Sequence, residues 1–277
     1  TGIGFDWFYL LAYPLLDYGS PALVWLVLVG SSTLLCLLPL LPPRRRPAAV
    51  VSLPNCNGCG RCVADCPYNA VSLAPRTDGL AYENEAVVHA ELCTACGICA
   101  GACPTSTPLR RQTELVPGID LPGLPMRTLR EQTLAAAARL EGAPRIIAYG
   151  CENGANIAGL RAAGVEVVAL ACIAQLPPSF LDFVITRRHA DGVLLLGCRA
   201  HDCHYRFGVE WMDERLDGER DPYLRARVPQ ERIHRLWAGL ASRAELEREL
   251  ATFRARLQAL GPFRPSPVSP STDEVTP

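Results

Sequence analysis

Cys56-Asn57-Gly58-Cys59-Gly60-Arg61-Cys62-Val63-Ala64-Asp65-Cys66-Pro67 returns, in spacing though not in letter, as Cys93-Thr94-Ala95-Cys96-Gly97-Ile98-Cys99-Ala100-Gly101-Ala102-Cys103-Pro104. Each stretch reads C-x2-C-x2-C-x3-C-P, and together they take eight of the thirteen cysteines. In such a run three thiolates on one short loop hold three irons of a cubane, while the fourth, on the turn into the next helix, reaches the other cluster. The spacing therefore predicts one [4Fe–4S] cluster on Cys56, Cys59, Cys62 and Cys103, and a second on Cys93, Cys96, Cys99 and Cys66. Structural zinc needs only four ligands, usually as two separated C-x2-C pairs, and gives no reason for the third Cys or the Cys-Pro. A disulfide framework would call for an oxidising compartment and usually a small secreted fold.

Over about residues 50–108 the chain resembles the bacterial-type two-cluster ferredoxins, which implies a small α+β domain that passes single electrons. The formal charge of −1, from 27 basic and 28 acidic side chains, gives no support to nucleic-acid binding, where a strong basic excess is expected.

Upstream, Pro21–Leu41 (PALVWLVLVGSSTLLCLLPLL) runs 21 residues without a charge. At about 1.5 Å per residue this suffices to cross a hydrocarbon core of roughly 30 Å. Arg44, Arg45 and Arg46 follow at once, and basic residues just after a span favour the cytoplasmic side. A secretory signal would carry its charges before the apolar run and a small-residue cleavage site after it. The expectation is a single span in the inner, cytoplasmic membrane, with everything after it on the cytoplasmic side, where thiols stay reduced.

Before the span lies Gly4-Phe5-Asp6-Trp7-Phe8-Tyr9-Leu10-Leu11-Ala12-Tyr13-Pro14-Leu15-Leu16-Asp17. With Pro39-Leu40-Leu41 closing the span, residues 3–46 resemble the C-terminal part of cytochrome b around its Pro-Glu-Trp-Tyr motif. Phe5 stands where that family has proline and Asp6 where it has glutamate. The resemblance implies a quinone pocket near Asp6 and Trp7, shared with a cytochrome-b-like partner or upstream segment. Because no His precedes His89, haem b would be held outside this segment. An ordinary anchor with an interfacial aromatic belt fits the same residues.

Past the second cysteine run the Pro-rich stretch Pro104–Pro125 reads as a linker, and Thr128–Leu140 as a helix. Then apolar strands alternate with helices: strand Arg145–Gly150, helix Ala155–Ala163, strand Val165–Ala171, helix Pro178–His189, strand Gly192–Gly197. That alternation predicts a parallel sheet with right-handed crossovers. Cys151, Cys172 and Cys198 each follow a strand directly, and Cys203 lies on the loop beyond the third. Strand carboxyl ends form the ligand-binding edge of such a sheet, so four thiolates converge there, able to hold a [2Fe–2S] cluster or a zinc ion. Four buried cysteines acting as small hydrophobes would not be expected to recur at strand ends. Gly150–Gly154 lacks the G-x-G-x-x-G spacing of a dinucleotide loop.

Cys151, Ala158-Gly159, Cys172, Asp191-Gly192-Val193, Gly197-Cys198 and Asp202-Cys203-His204-Tyr205 resemble the delta subunit of methyl-viologen-reducing hydrogenase over Arg145–Gly208. That resemblance implies one [2Fe–2S] cluster on Cys151, Cys172, Cys198 and Cys203, with electrons passed to a soluble flavoprotein of the heterodisulfide-reductase A type. The family often carries another Cys where this chain has Gly154. His201 and His204 flank Cys203, but with four cysteines present they are not needed as ligands. Gln230–Leu260 reads as amphipathic helix, with a solvated face or a docking surface, and Gly261–Pro277 as disordered.

The expected architecture is therefore multi-domain. It comprises a cytochrome-b-like membrane segment (1–46), an α+β two-cluster ferredoxin (50–108), a linker and helix (109–142), an α/β parallel-sheet iron–sulfur domain (143–240), and a helical arm with a disordered tail (241–277). The expected function is a membrane-attached electron-transfer subunit rather than a stand-alone enzyme, joining a quinone module to a cytosolic flavoprotein. The alternative is a hydrogenase or heterodisulfide-reductase subunit tethered to the membrane, with no quinone chemistry.

Overall fold

A computed structural model describes residues 19–41, 46–109, 114–155, 157, 160, 164–239 and 243–263. Two units divide at Arg45 and Arg46. Asp6, Trp7, Arg44 and Arg45, most of the helix expected over Ala155–Ala163 and the tail from residue 264 lie outside the described residues.

In the first unit, helix α1 (Pro21–Leu37) starts with Pro21 at its first position, and Leu23 N donates to the hydroxyl of the capping residue Ser20 at 3.3 Å. A 3-10 turn, Leu38–Leu40, extends it. Pro21–Leu40 is long and apolar enough to cross a membrane. The hydroxyls of Ser31 and Thr33 donate to Leu28 O (3.1 Å) and Val29 O (2.7 Å), so its mid-span polar groups bond within the helix. Only Val24 is buried, while side chains on every face are apolar. Such a helix needs apolar surroundings, lipid or protein.

In the second unit, strand β1 (Val50–Val51) precedes the first cysteine run. Short helix α2 (Arg61–Ala64), hairpin strands β2 (Val71–Pro75) and β3 (Asn84–Val88), and helix α3 (Ile98–Ala102) follow. Strand β4 (Ile119–Asp120) then pairs antiparallel with β1. The Pro-rich segment is thus no free linker. Its far end closes the ferredoxin part, because Gly118 passes so close to Asn55 and Cys56 that a Cβ would stand 2.8 Å from Asn55 O. The Asp120 carboxylate then accepts from Met126 N, fixing the start of helix α4 (Met126–Arg139).

Strands β5 (Ile146–Cys151), β6 (Val165–Leu170), β7 (Gly192–Gly197) and β8 (Ile233–Trp237) form one parallel sheet in the order β6-β5-β7-β8. Every residue of β5 and β7 is buried, which is why they read as unbroken apolar runs: central parallel strands are covered on both faces. Helices α4, α5 (Pro178–Thr186) and α6 (Gly208–Asp217) cover one face, with Met126, Leu129, Phe180, Val184 and Met212 against Ile147, Tyr149 and Leu195. Helix α7 (Arg243–Leu260) covers the other through Leu246, Leu250, Phe253 and Leu257.

Two expectations change here. Gln230–Leu260 is not one helix: a 3-10 turn at Gln230–Arg232 leads into β8, and α7 begins only at Arg243. Helix propensity yields to tertiary pairing. Arg235 binds Asp213 and Asp217 on α6, His234 meets Glu249 on α7, and Ile233 and Leu236 fill opposite cores. Nor is α7 a projecting arm beyond residue 240. It is a layer of the α/β part, seated so closely that a Cβ on Gly192 would meet Leu257 at 2.6 Å.

Candidate iron–sulfur centres

The two cysteine runs fold into matching loops. Gly58 and Ala95, between the first and second cysteines of their runs, have φ of 66° and 55°, and Gly60 and Gly97, after the second, have 75° and 79°. Two left-handed residues in each loop turn three sulfurs toward one point. Gly58 could carry no side chain, since a Cβ would lie 2.2 Å from Asn84 O.

The result is two small cavities. Cys56, Cys59, Cys62 and Cys103 line the first; Cys66, Cys93, Cys96 and Cys99 line the second. Each draws three cysteines from one run and one from the other. The sulfurs surround a space instead of closing on a point: among the described residues, no group of three or more His, Cys, Asp or Glu is placed to hold a single metal ion. Burial pushes the Cys62 thiol up to about 12, helped by Cys103, Cys59 and Cys56, and Cys96 up to about 11; Cys99 rises well above the ordinary range for the same reason. Four anionic thiolates would be unfavourable there without a cationic group to share. Four cysteine sulfurs around each partly buried space fit an iron–sulfur core. Hydrogen bonds to the sulfurs are already present, from Ala70 N to Cys66 Sγ (3.1 Å) and between Cys103 Sγ and Thr105 Oγ1 (3.0 Å), and such contacts tune a bound metal.

At the carboxyl edge of the sheet the fold brings together Cys151, Cys172, Cys198 and Cys203. Cys151 ends β5, and Cys198 follows β7. These are the two strands between which the sheet order reverses, where ligands of open α/β sheets bind. Their Sγ atoms are 3.9 Å apart. Cys172 and Cys203 lie over the start of α6, where a Cβ on Gly208 would meet their sulfurs at 2.3 and 3.4 Å. Bonding to Cys172 and then to Cys198 holds the Cys203 thiol well below its ordinary range, while Cys172 is pushed up by Cys203 and by burial, and Cys198 by Cys151 and then Cys203. Three of the four are buried and Cys203 is half-buried. His201 and His204 are exposed, and the His204 ring stands edge-on to Tyr205.

Gly154, where the hydrogenase-type family often has a further Cys, has no room for one: a Cβ there would lie 2.7 Å from Gly197 O. Gly208 is a site residue that cysteine spacing does not reveal. Its only signal is a glycine at a helix start five residues after Cys203.

The second cavity and the strand-end set share a wall. Cys96, Ile98, Cys172, Ala174, Tyr205 and Trp211 pack as one apolar cluster. Helix α3 lies on the 172–176 loop so tightly that a Cβ on Gly101 would come within 2.1 Å of Ala174 O. Beside this contact Asp65 is buried between Arg215 (2.5 Å) and Arg220 (2.7 Å), and Arg206 donates to Pro67 O at 2.9 Å.

Residues 55–107 match the family model of the 4Fe-4S dicluster domain, and residues 146–261 that of the methyl-viologen-reducing hydrogenase delta subunit. The chain is 27% identical over 162 residues to the A-subunit of ferredoxin/F(420)H(2)-dependent CoB-CoM heterodisulfide reductase of Methanosarcina acetivorans, covering 53% of this chain and 20% of that one. It is 26% identical over 140 residues to the A-subunit of ferredoxin:CoB-CoM heterodisulfide reductase of Methanosarcina mazei, covering 48% and 18%. Over 100 residues it is 28% identical to the iron-sulfur D-subunit of the F420-non-reducing hydrogenase of Archaeoglobus profundus, covering 36% and 72%. The chain thus spans about a fifth of the length of the two reductase relatives. Two separate stretches of the chain are thus similar to a 4Fe–4S dicluster domain and to a hydrogenase delta subunit.

Proposed function

We propose that the chain is a membrane-attached electron-transfer subunit that links a cytochrome-b-like quinone module to a soluble flavoprotein of the heterodisulfide-reductase A type. The observation that carries the electron-transfer reading is the sharing of one apolar cluster by Cys96 and Cys172, which joins a cavity lined by four cysteines to the four strand-end cysteines. In this reading Cys56, Cys59, Cys62 and Cys103 hold one [4Fe–4S] cluster, Cys93, Cys96, Cys99 and Cys66 a second, and Cys151, Cys172, Cys198 and Cys203 a [2Fe–2S] cluster. Such clusters supply single-electron chemistry when bound. The protein's part is to ligate, bury and hydrogen-bond them, which sets their potentials. Cys59 is exposed, so the first cavity meets an outside partner, the second relays, and the strand-end set serves the other partner.

Attachment rests on Pro21–Leu40, with the arginines after it holding both redox parts on the cytoplasmic side. The quinone link rests on Asp6 and Trp7, and any haem b belongs to the partner or to upstream chain. A second reading keeps the tether and drops the quinone chemistry; the apolar helix favours it equally, since an anchor needs no quinone.

Iron and sulfide analysis with electron paramagnetic resonance (EPR) tests the wire, with about ten irons expected per chain. Cys66→Ser should damage the cluster held by the second run and spare the first; the reverse pattern would sink the crossed assignment. Asp6→Asn should slow quinone turnover with iron content unchanged. Unaltered turnover favours the plain tether.

A further inference from the structure

Arg215 has the largest fully buried side chain among the described residues. A guanidinium is costly to bury unless its donors are met. One arm donates to Ala174 O at 2.7 Å and the other to Asp65 Oδ2 at 2.5 Å, while Nε finds no partner. The second Asp65 oxygen accepts from Arg220 at 2.7 Å, and Arg220 is held in turn by Glu214. Asp65 immediately precedes Cys66, and Ala174 lies two residues after Cys172. One side chain on α6 therefore grips a residue beside a cysteine of the second cavity and the backbone beside a cysteine of the strand-end set.

Stability alone gives no reason for an arginine here, because apolar residues of similar volume often replace a buried ion pair at no loss. Direction does give one. Charge-assisted bonds from a planar fork fix both distance and orientation, whereas the apolar contacts of Ile98, Tyr205 and Trp211 are non-directional.

We propose that the Asp65–Arg215–Ala174 tie is a positioning device. It sets the separation between the second cavity and the strand-end site, and so the passage of an electron between them. The proposal rests on the iron–sulfur reading of both sites. In the step itself one centre loses one electron and the other gains it, with no bond made and no proton moved. Arg215 is a positioning residue and ligates nothing.

The test uses the full chain with Arg215→Met, beside Arg220→Gln, which leaves Arg215 in place. After chemical reduction, EPR reads the magnetic interaction between the two centres, and amide hydrogen exchange reads residues 62–69 and 172–176. Arg215→Met is expected to keep the iron content and each centre's signal, to lose the splitting due to their interaction, and to lose exchange protection in those two segments; Arg220→Gln should retain both. Wild-type splitting and wild-type protection in Arg215→Met overturn the proposal. If Arg215→Met does not fold, Asp65→Asn, which keeps an acceptor for Arg220, is read by the same two measurements and judged the same way. A wild-type chain with no paramagnetic centre on the strand-end cysteines overturns the iron–sulfur reading, whereas lost protection confined to those two segments in the Arg215→Met form of that same protein still supports the tie.

Discussion

Gly208 shows how much one missing methyl group can matter. A Cβ there would stand 2.3 Å from Cys172 Sγ, nearer than atoms can pack, and would touch Cys203 Sγ at 3.4 Å, so either α6 or the Cys172 sulfur must move. Gly208→Ala is accordingly expected to abolish or strongly perturb the strand-end centre while both cubanes keep their signals; visible circular dichroism with iron analysis reads the difference. Retention of all signals would mean that the sulfurs have slack. At this scale the cysteines of the two runs are legible in the sequence, because a chelating loop is local and its spacing is written in consecutive letters. Gly208 and the Asp65–Arg215 pair are not. Their meaning depends on neighbours 36 and 150 residues away, and a lone glycine or a lone arginine in a sequence names no partner.

Elements are legible where burial makes them so. Strands β5 and β7 are apolar throughout because both faces are covered, and their ends fall within a residue or two of the apolar runs. Strand β8 is hidden because an edge strand can carry His234 and Arg235, whose partners sit on α6 and α7, and those charges imitate the solvated face of a helix. The entry into α4 carries a pH signature. Burial raises the Asp120 carboxyl from 3.8 to about 6, against the opposing pull of hydrogen bonds from Met126 N and Leu121 N. A carboxyl whose pKa is higher in the folded chain binds its proton more tightly there, so it lowers stability above pH 6, and that loss is relieved as pH falls from 6 toward 4. On the linkage relation the full span is worth about 3 kcal/mol. Asp120→Asn keeps an acceptor for the helix start and removes the charge. It should therefore raise the urea midpoint at about pH 7.5 and show a smaller change than wild type between about pH 7.5 and 5. Equal pH dependence in the two proteins would refute this account.

At the scale of the whole molecule, the two redox parts are legible separately but not as one body. A Pro-rich stretch suggests a linker between them, whereas β4 returns to pair with β1 and α3 lies on the 172–176 loop. This return has a consequence for how the protein could be made. The β1–β4 ladder, the Asp65–Arg215 pair and the apolar cluster around Cys96 and Cys172 all join residues before 110 to residues after 113. These segments are thus held together by non-covalent contacts as well as by the peptide. Two polypeptides, 1–109 and 114–277, produced together should find each other and co-purify as a stable pair, with Val50 and Val51 of one laid beside Ile119 and Asp120 of the other. Fragments that stay apart at micromolar concentration would refute this. A pair that assembles would make this a protein whose two halves could be encoded as separate genes without losing the joint between them.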